Sequence, residues 1–145
     1  MTDPKVHFEM LETPDRVEGI ASLLLRRGRL QPHVLVLCPD AGFMEQLNER
    51  LWTIHQESFL AHGVVGEDGK ANARQPILLA TEVVRENQAE VLINGGLEIP
   101  PDVSGFSHLV DFVDGWDESL KQTARERFRT YRQMGLEPTY LGGKS

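Results

Sequence analysis

The chain has 145 residues, 40% of them hydrophobic and 26% charged, and its formal net charge at pH 7 is −7. These values are ordinary for a single globular domain that is large enough to bury a core. No apolar run approaches the ~20 residues of a membrane-spanning helix, and the first residues lack the plan of a signal peptide. A single cysteine, Cys38, rules out an internal disulfide, so we expect a cytoplasmic protein.

Short apolar runs alternate with helical patterns along the chain. In chain order we predict a strand at residues 6–11, a helix at 14–27, a strand at 33–38, a helix at 41–54, strands at 77–80, 90–93 and 108–112, and a helix at 116–135. This alternation favours an α/β fold with a mostly parallel sheet flanked by helices, in a Rossmann-like topology. We expect one domain over residues 1–135, then an extension over residues 136–145 that lies on the surface or is frayed.

Parallel α/β sheets often bind nucleotides, but the glycines of this chain lack the required spacing. Gly63 and Gly69 are separated by five residues where a phosphate-binding Walker loop needs four, and Ala71 stands where that loop needs Ser or Thr. The turn at residues 39–42 is not the Gly-x-Gly-x-x-Gly of dinucleotide-binding folds. We therefore predict no nucleotide cofactor. Residues 63–75 hold three glycines among charged and small residues and are interpreted as a mobile loop.

Catalytic and metal-binding patterns are also missing from the sequence. The five histidines include no pair at i, i+4 on a predicted helix and have no cysteine partners, as a zinc site would require. No side chain is accompanied by the base that would activate it as a nucleophile. Cys38 ends an apolar run and is interpreted as a buried thiol, while Asp117 and Glu118 are expected to cap the last helix. We therefore expect no catalytic, cofactor-binding or metal-binding residue and no enzymatic activity.

The last predicted helix concentrates positive charge in an otherwise acidic chain. Between residues 121 and 132 there are five Lys or Arg against one acid. At about 100° per residue, four of these cations share one arc, called the basic stripe below: Lys121, Arg125, Arg129 and Arg132. Phe128 borders the stripe, and a ring beside cations can border an apolar pocket while the cations hold carboxylates. The stripe suggests an anionic partner; the alternative is a solvated helix face whose last arginines complement the helix dipole.

Two large aromatic residues stand near the end of the second predicted helix. Trp52 and Phe59 are seven residues apart, and Trp52 lies off the apolar face formed by Leu47, Leu51 and Ile54. A Trp that points away from the core is a candidate for the centre of a protein interface. The alternative is that both rings pack inside the domain.

Two segments carry a family resemblance. One is Val110-Asp-Phe-Val113 followed by the run from Asp117 to Arg132, and the other is Leu51-Trp52 followed by Glu57-Ser-Phe59, His62 and Gly66-Glu67. Both resemble the chi subunit family of bacterial DNA polymerase III, and the chain length and the order of strands and helices agree with it. The C-terminal segment is long and specific, whereas the N-terminal half of the chain matches only in pattern.

The resemblance implies a non-catalytic adaptor in DNA replication. Chi subunits bind the psi subunit, which links them to the clamp-loader complex. They also bind the acidic C-terminal tail of single-stranded DNA-binding protein (SSB), which ends in an apolar aromatic residue. This family context therefore implies two protein partners, psi and the SSB tail, with no cofactor, no membrane partner and no direct contact with DNA.

The resemblance also implies which residues of this sequence form the two sites. The SSB-tail-binding positions are Lys121, Arg125, Phe128, Arg129 and Val113, and the psi-binding positions are Trp52 and Phe59. The cations would hold the carboxylates of the tail, while Phe128 and Val113 would border the pocket for its last side chain. Phe128 stands where a Tyr can occur in the family, so a contact from a phenolic hydroxyl would be missing. Arg129 stands where a Lys can occur, which keeps the charge but changes the hydrogen-bond geometry.

Two other classes of function remain open. The basic helix would also suit phosphates, so a module that binds single-stranded nucleic acid directly is the main alternative. The acidic remainder of the chain argues against it, and the helix lacks an obvious set of base-reading residues. A degenerate nucleotide-binding enzyme is suggested only by the fold class.

Overall fold

The computed structural model describes residues 4–27, 33–53, 62–64 and 76–141, which form seven strands and three helices. The strands are β1 (Lys5–Leu11), β2 (Val34–Leu37), β3 (His62–Val64), β4 (Ile77–Ala80), β5 (Val91–Asn94), β6 (His108–Asp114) and β7 (Thr139–Leu141). The helices are α1 (Arg16–Arg27), α2 (Ala41–Thr53) and α3 (Glu118–Gln133). Every predicted element is present, with ends shifted by at most two residues. Ile54 and Phe59 lie outside the described residues.

The strands form one sheet in the order β3-β4-β2-β5-β6-β1-β7, and every neighbouring pair is parallel. Short strands that are apolar throughout, such as Val34–Leu37 and Ile77–Ala80, are buried at every residue. Such runs are expected where helices or loops cover both faces of a parallel sheet. The predicted α/β class is confirmed.

Two edge strands were not predicted from the sequence. β3 overlaps the start of the segment interpreted as a loop, so that interpretation is wrong at residues 63 and 64, while residues 65–75 lie outside the described part. Thr139–Leu141 of the C-terminal extension pair with β1 at the edge of the sheet, and the sequence did not predict this strand. Strands of three residues are too short to show a hydrophobic period, which explains both misses.

The helices cover opposite faces of the sheet. One face carries α1 and α2, whose buried residues join the strands in one cluster, among them Ile20, Leu24, Leu47 and Leu51. The other face carries α3, which contributes Ala124 and Tyr131 to a second cluster. The two helices that hold the candidate site residues, α2 and α3, therefore lie on opposite sides of the sheet.

A buried polar network fixes α3 to the sheet. Asp111 of β6 is fully buried, and its Oδ2 accepts hydrogen bonds from Arg127 Nε at 3.2 Å and from the Tyr131 hydroxyl at 2.7 Å. Asn94 Nδ2 of β5 donates to the same oxygen at 3.3 Å. The Arg127 guanidinium also donates to two backbone oxygens at 3.0 and 2.8 Å. Burial and the nearby Asp111 carboxylate raise the pKa of Tyr131, so its hydroxyl stays a donor.

Two histidines meet close to the place where β7 joins the sheet. The rings of His7 and His108 are stacked with centroids 5.3 Å apart, and Nε2 of His7 lies 3.1 Å from Nδ1 of His108. Burial, then His108 and Lys5, lower the pKa of His7, while Glu9 acts in the opposite direction. His7 is the register partner of Thr139, whose hydroxyl lies 3.5 Å from His7 Nδ1.

Arg127→Ala is expected to destabilise the fold strongly, because it leaves Asp111 buried without its cation. We expect a loss of about 3–5 kcal/mol in the free energy of unfolding, as for other broken buried ion pairs. Arg125→Ala, on the exposed side of the same helix, is expected to change it by less than about 0.5 kcal/mol. Urea unfolding measures both values, and equal losses would contradict the role given to Arg127.

Acidification is expected to destabilise the fold through His7. Because the pKa of His7 is lowered in the folded state, the unfolded chain binds more protons once the pH falls below about 6.5. Above that pH His7 is neutral in both states, so its contribution to stability is complete. The free energy of unfolding should therefore fall more steeply in the wild type than in His7→Gln as the pH drops through about 6.5. Parallel pH profiles would show that His7 is not responsible.

Candidate functional site

The helix that carries the basic stripe has well-defined ends. Asp117 is its N-cap, with an extended backbone, and its Oδ1 accepts a hydrogen bond from the Leu120 N–H at 3.0 Å. Glu118 places a second acid in the first turn, which favours the positive end of the helix dipole. Gly135 follows the helix with φ of +89°, a conformation that suits glycine at a helix end. The predicted capping role of Asp117 is confirmed.

The basic stripe faces away from the sheet. Arg125, Arg129 and Arg132 are exposed, and Lys121 is half-buried. Lys121 Nζ pairs with Glu118 Oε1 at 3.1 Å, and Arg125 Nη1 donates to the Gln122 side chain at 3.1 Å. These partners belong to the same helix and face solvent, so the contacts are weak and can be exchanged for the carboxylates of a ligand.

Arg127 is not part of this surface, although the sequence counts it among the five cations of the helix. Its side chain is 4% exposed and paired with Asp111. The signal that could have revealed this is its position, three residues after Ala124 and four before Tyr131, which are both buried. Four cations rather than five therefore remain at the surface of this helix between residues 121 and 132.

The ring of Phe128 packs against two other rings. We call these three residues the aromatic cluster: Phe8, Phe128 and Tyr140. Phe128 is half-buried, and its centroid lies 5.4 Å from that of Phe8 and 5.4 Å from that of Tyr140. Val113, the other predicted pocket residue, is only 5% exposed and packs in the core on this face. Sequence reasoning missed Phe8 and Tyr140, because they come from β1 and β7 and approach α3 only in the folded chain.

Trp52 lies on the other candidate surface. It is 56% exposed in the last turn of α2, while Leu47 and Leu51 of the same helix are buried. The expectation that Trp52 lies off the core face of α2 agrees with this pattern. Phe59, its predicted companion, lies outside the described residues.

The sequence profile of the family described as DNA polymerase III chi subunit, HolC, matches residues 3–139. The chain belongs to the chi subunit family. It is 31% identical over 137 residues to DNA polymerase III subunit chi of Escherichia coli strain K12, covering 89% of this chain and 91% of that one. It is 30% identical over 134 residues to the Pseudomonas aeruginosa protein of the same name, covering 90% and 91%. The resemblance seen in the sequence is confirmed, and this chi family member has an accessory role in DNA replication.

A solved structure, that of T4 UvsW, is similar to this chi family member in fold. The TM-score is 0.66 at 9% sequence identity, over 94% of this chain and 40% of that one. At such low identity the likeness supports the α/β fold alone, because the same fold hosts unrelated functions.

A cavity of about 870 Å³ opens in this chi family member at the carboxyl ends of β2, β4 and β5, where parallel sheets often bind ligands. Arg16 is the cation among its lining residues, and its guanidinium is engaged by Asp114 at 2.6 Å and by two backbone oxygens. Three acids also line the cavity: Glu82, Glu98 and Asp102. Three acids and one arginine that is already paired make binding of a nucleotide phosphate in this cavity unfavourable.

Reactive groups are scarce in the described part of this chi family member. Cys38 is buried, and burial raises the pKa of its thiol to about 12, so the predicted structural thiol is confirmed. Within residues 4–27, 33–53, 62–64 and 76–141, no group of three or more His, Cys, Asp or Glu could hold a metal ion. No helix in these same ranges is long and apolar enough to cross a membrane.

Proposed function

We propose that the chain is a non-catalytic adaptor that binds the acidic C-terminal tail of SSB through α3 and the psi subunit through the surface around Trp52. Psi would connect it to the clamp loader, so the polymerase assembly would be tethered to SSB-coated single-stranded DNA. The observation that carries the proposal is that the basic stripe of α3 lies beside the aromatic cluster, to which the same helix contributes Phe128, in an otherwise acidic protein.

Charge and burial would contribute differently to binding of the SSB tail. Each exposed ion pair contributes about 0–1 kcal/mol, so Lys121, Arg125 and Arg129 would mainly orient the peptide and speed its approach. Burial of a large apolar side chain contributes about 1.5–3 kcal/mol, so the terminal ring of the tail would be the anchor beside Phe128. The interaction is therefore weak and salt-sensitive, and several tails on one coated strand would strengthen it by raising the effective concentration.

Direct binding of single-stranded DNA through α3 is the second candidate function. Phosphates would suit the same cations, and the affinity would fall with salt. Two features disfavour it: Arg127 is withdrawn from the surface, and the exposed acids Glu118 and Glu126 lie on the same helix. The net charge of −7 also opposes the approach of a polyanion.

The pattern of burial in α2 supports the psi-binding part of the proposal. Trp52 is exposed next to a buried face, and exposed aromatic residues of this kind are typical of interface centres. Since α2 and α3 lie on opposite faces of the sheet, the two partners would not compete for one surface. Phe59 enters the proposal through the family resemblance alone.

Arg125→Ala is expected to weaken binding of a synthetic peptide with the sequence of the SSB tail by about three- to fivefold, equivalent to roughly 0.7–1 kcal/mol. The reason is that Arg125 is an exposed cation one turn from Phe128, so its loss removes a carboxylate contact at the pocket. Isothermal titration calorimetry at two salt concentrations measures the effect, and wild-type affinity should also fall as salt rises.

Two comparisons make this experiment specific. Arg26→Ala removes an exposed arginine from α1, on the opposite face of the sheet, and should leave peptide binding unchanged. Bare single-stranded DNA is titrated in parallel. Tight binding to DNA without binding of the peptide would favour the second candidate function. Equal losses of peptide affinity in Arg26→Ala and Arg125→Ala would show that Arg125 attracts the peptide only through its charge and makes no specific contact with it.

Trp52→Ala is expected to lower the affinity for psi at least tenfold, since truncation of a central interface aromatic costs about 2 kcal/mol or more. Co-purification of tagged psi measures the loss, and peptide binding through α3 should not change. Gln46→Ala, an exposed position on the same helix, is the matched control. Undiminished psi binding in Trp52→Ala would contradict the assignment, and loss of both activities would indicate a folding defect.

A further inference from the structure

The last strand of the sheet brings an exposed ring to the basic stripe. Tyr140 of β7 is in register with Phe8 of β1 at the edge of the sheet. Its ring stacks on Phe128, with centroids 5.4 Å and planes 16° apart, and lies 5.9 Å from Phe8. Phe8 is fully buried, whereas Tyr140 is 42% exposed, so the aromatic cluster runs from the core to the surface. Phe128 stands between Arg125 and Arg129 of the stripe in the sequence of α3.

An exposed methionine continues this apolar surface along β1. Met10 is 47% exposed and lies two residues beyond Phe8, so it points to the face of the sheet that carries α3. Its Cα is in register with Val113, and its sulfur lies against Gly115, where an added Cβ would clash with it. Since Val113 is 5% exposed, Met10 rather than Val113 offers contact area at this point.

The two tyrosines of the chain have different environments. Tyr131 is buried, and its hydroxyl donates to the Asp111 carboxylate at 2.7 Å. Tyr140 keeps much of its ring at the surface and stacks on Phe128, which has no polar group of its own. A phenol can donate a hydrogen bond to a carboxylate while its ring contacts an apolar group. Tyr140 thus places a hydrogen-bond donor and an apolar ring surface beside the basic stripe.

We propose that Tyr140 and Met10 form the wall and floor of the pocket that receives the last side chain of an acidic, aromatic-ended peptide, and that the Tyr140 hydroxyl donates a hydrogen bond to that peptide. The occupant is argued from charge and shape: the apolar surface is bordered by Lys121, Arg125 and Arg129, which favour carboxylates, and it ends in stacked rings. This inference rests on the proposed binding of the SSB tail. It assigns half of the pocket to β1 and β7 rather than to α3.

A double-mutant cycle tests whether Tyr140 contacts the terminal ring of the peptide. Wild type and Tyr140→Ala are each titrated with the SSB-tail peptide and with the same peptide carrying Ala in place of its last aromatic residue. Tyr140→Ala should weaken the tail peptide about tenfold and leave the Ala-ended peptide almost unchanged, because residues in contact are energetically coupled. Tyr140→Phe keeps the stacked ring and should weaken the tail peptide by about threefold through loss of the hydroxyl.

The possible outcomes separate this inference from the proposed function. Wild-type affinity of Tyr140→Ala for the tail peptide would overturn the inference and leave the proposed function standing. Equal losses for both peptides would also overturn it, since they would show that Tyr140 only supports α3. If the wild type binds neither peptide, the proposed function fails and this inference falls with it. Thermal melting of Tyr140→Ala checks that this deciding variant is folded; if it is not, the Tyr140→Phe titration decides, and wild-type affinity there would overturn the proposed hydrogen bond.

Two exposed methionines provide a matched pair for the floor of the pocket. Met10 is 47% exposed beside the aromatic cluster, and Met134 is 45% exposed at the C-cap of α3. Met10→Ala should weaken the tail peptide roughly fivefold, as expected when apolar contact area is lost. Met134→Ala should not change the affinity. Equal effects of the two variants would contradict the placement of Met10 in the pocket.

Discussion

The buried Asp111 carboxylate is the constraint on which the rest of this structure depends. A carboxylate in the middle of a parallel sheet needs a cation and hydrogen-bond donors, and α3 supplies them through Arg127 and Tyr131. These contacts to Asp111 fix the rotation of α3 about its own axis. Because successive residues are about 100° apart, Arg125 and Arg129 are then directed away from the sheet. The electrostatics of the interior thereby decides which cations of the helix face solvent.

The same rotation determines which strands border the basic stripe. With Arg127 turned towards β6, Phe128 falls on the side of α3 that faces β1, where it meets Phe8. β7 adds Tyr140 to this side because it pairs with β1 in parallel register. The surface beside the cations is therefore a joint product of one helix and two strands. Its apolar part depends on the correct pairing of the last strand of the chain.

Local signals in the sequence predict much of this arrangement but not its final assembly. Helical spacing identifies the arc of Lys121, Arg125 and Arg129, and Asp117 identifies the start of the helix, because both signals act over one or two turns. Arg127 points inward because its partner, the Asp111 carboxylate, lies in β6. Helical spacing alone suggests that Arg127 is buried but does not identify that partner. Tyr140 lies in a strand of three residues whose existence depends on an open edge at β1. Long-range pairing of this kind has no local period to reveal it.

The placement of weak sites on a rigid sheet suits an adaptor better than a single strong site would. Because the exposed cations of α3 gain little from any one ion pair, release of a bound peptide would be fast, and capture under the proposed function would depend on several tails being close together. Trp52 lies across the sheet on α2, where a partner would approach from the opposite side. The two surfaces lie on opposite faces of the same parallel sheet. Occupation of one surface therefore need not disturb the other, and the strength of the tether would be set by the number of tails rather than by the affinity of each.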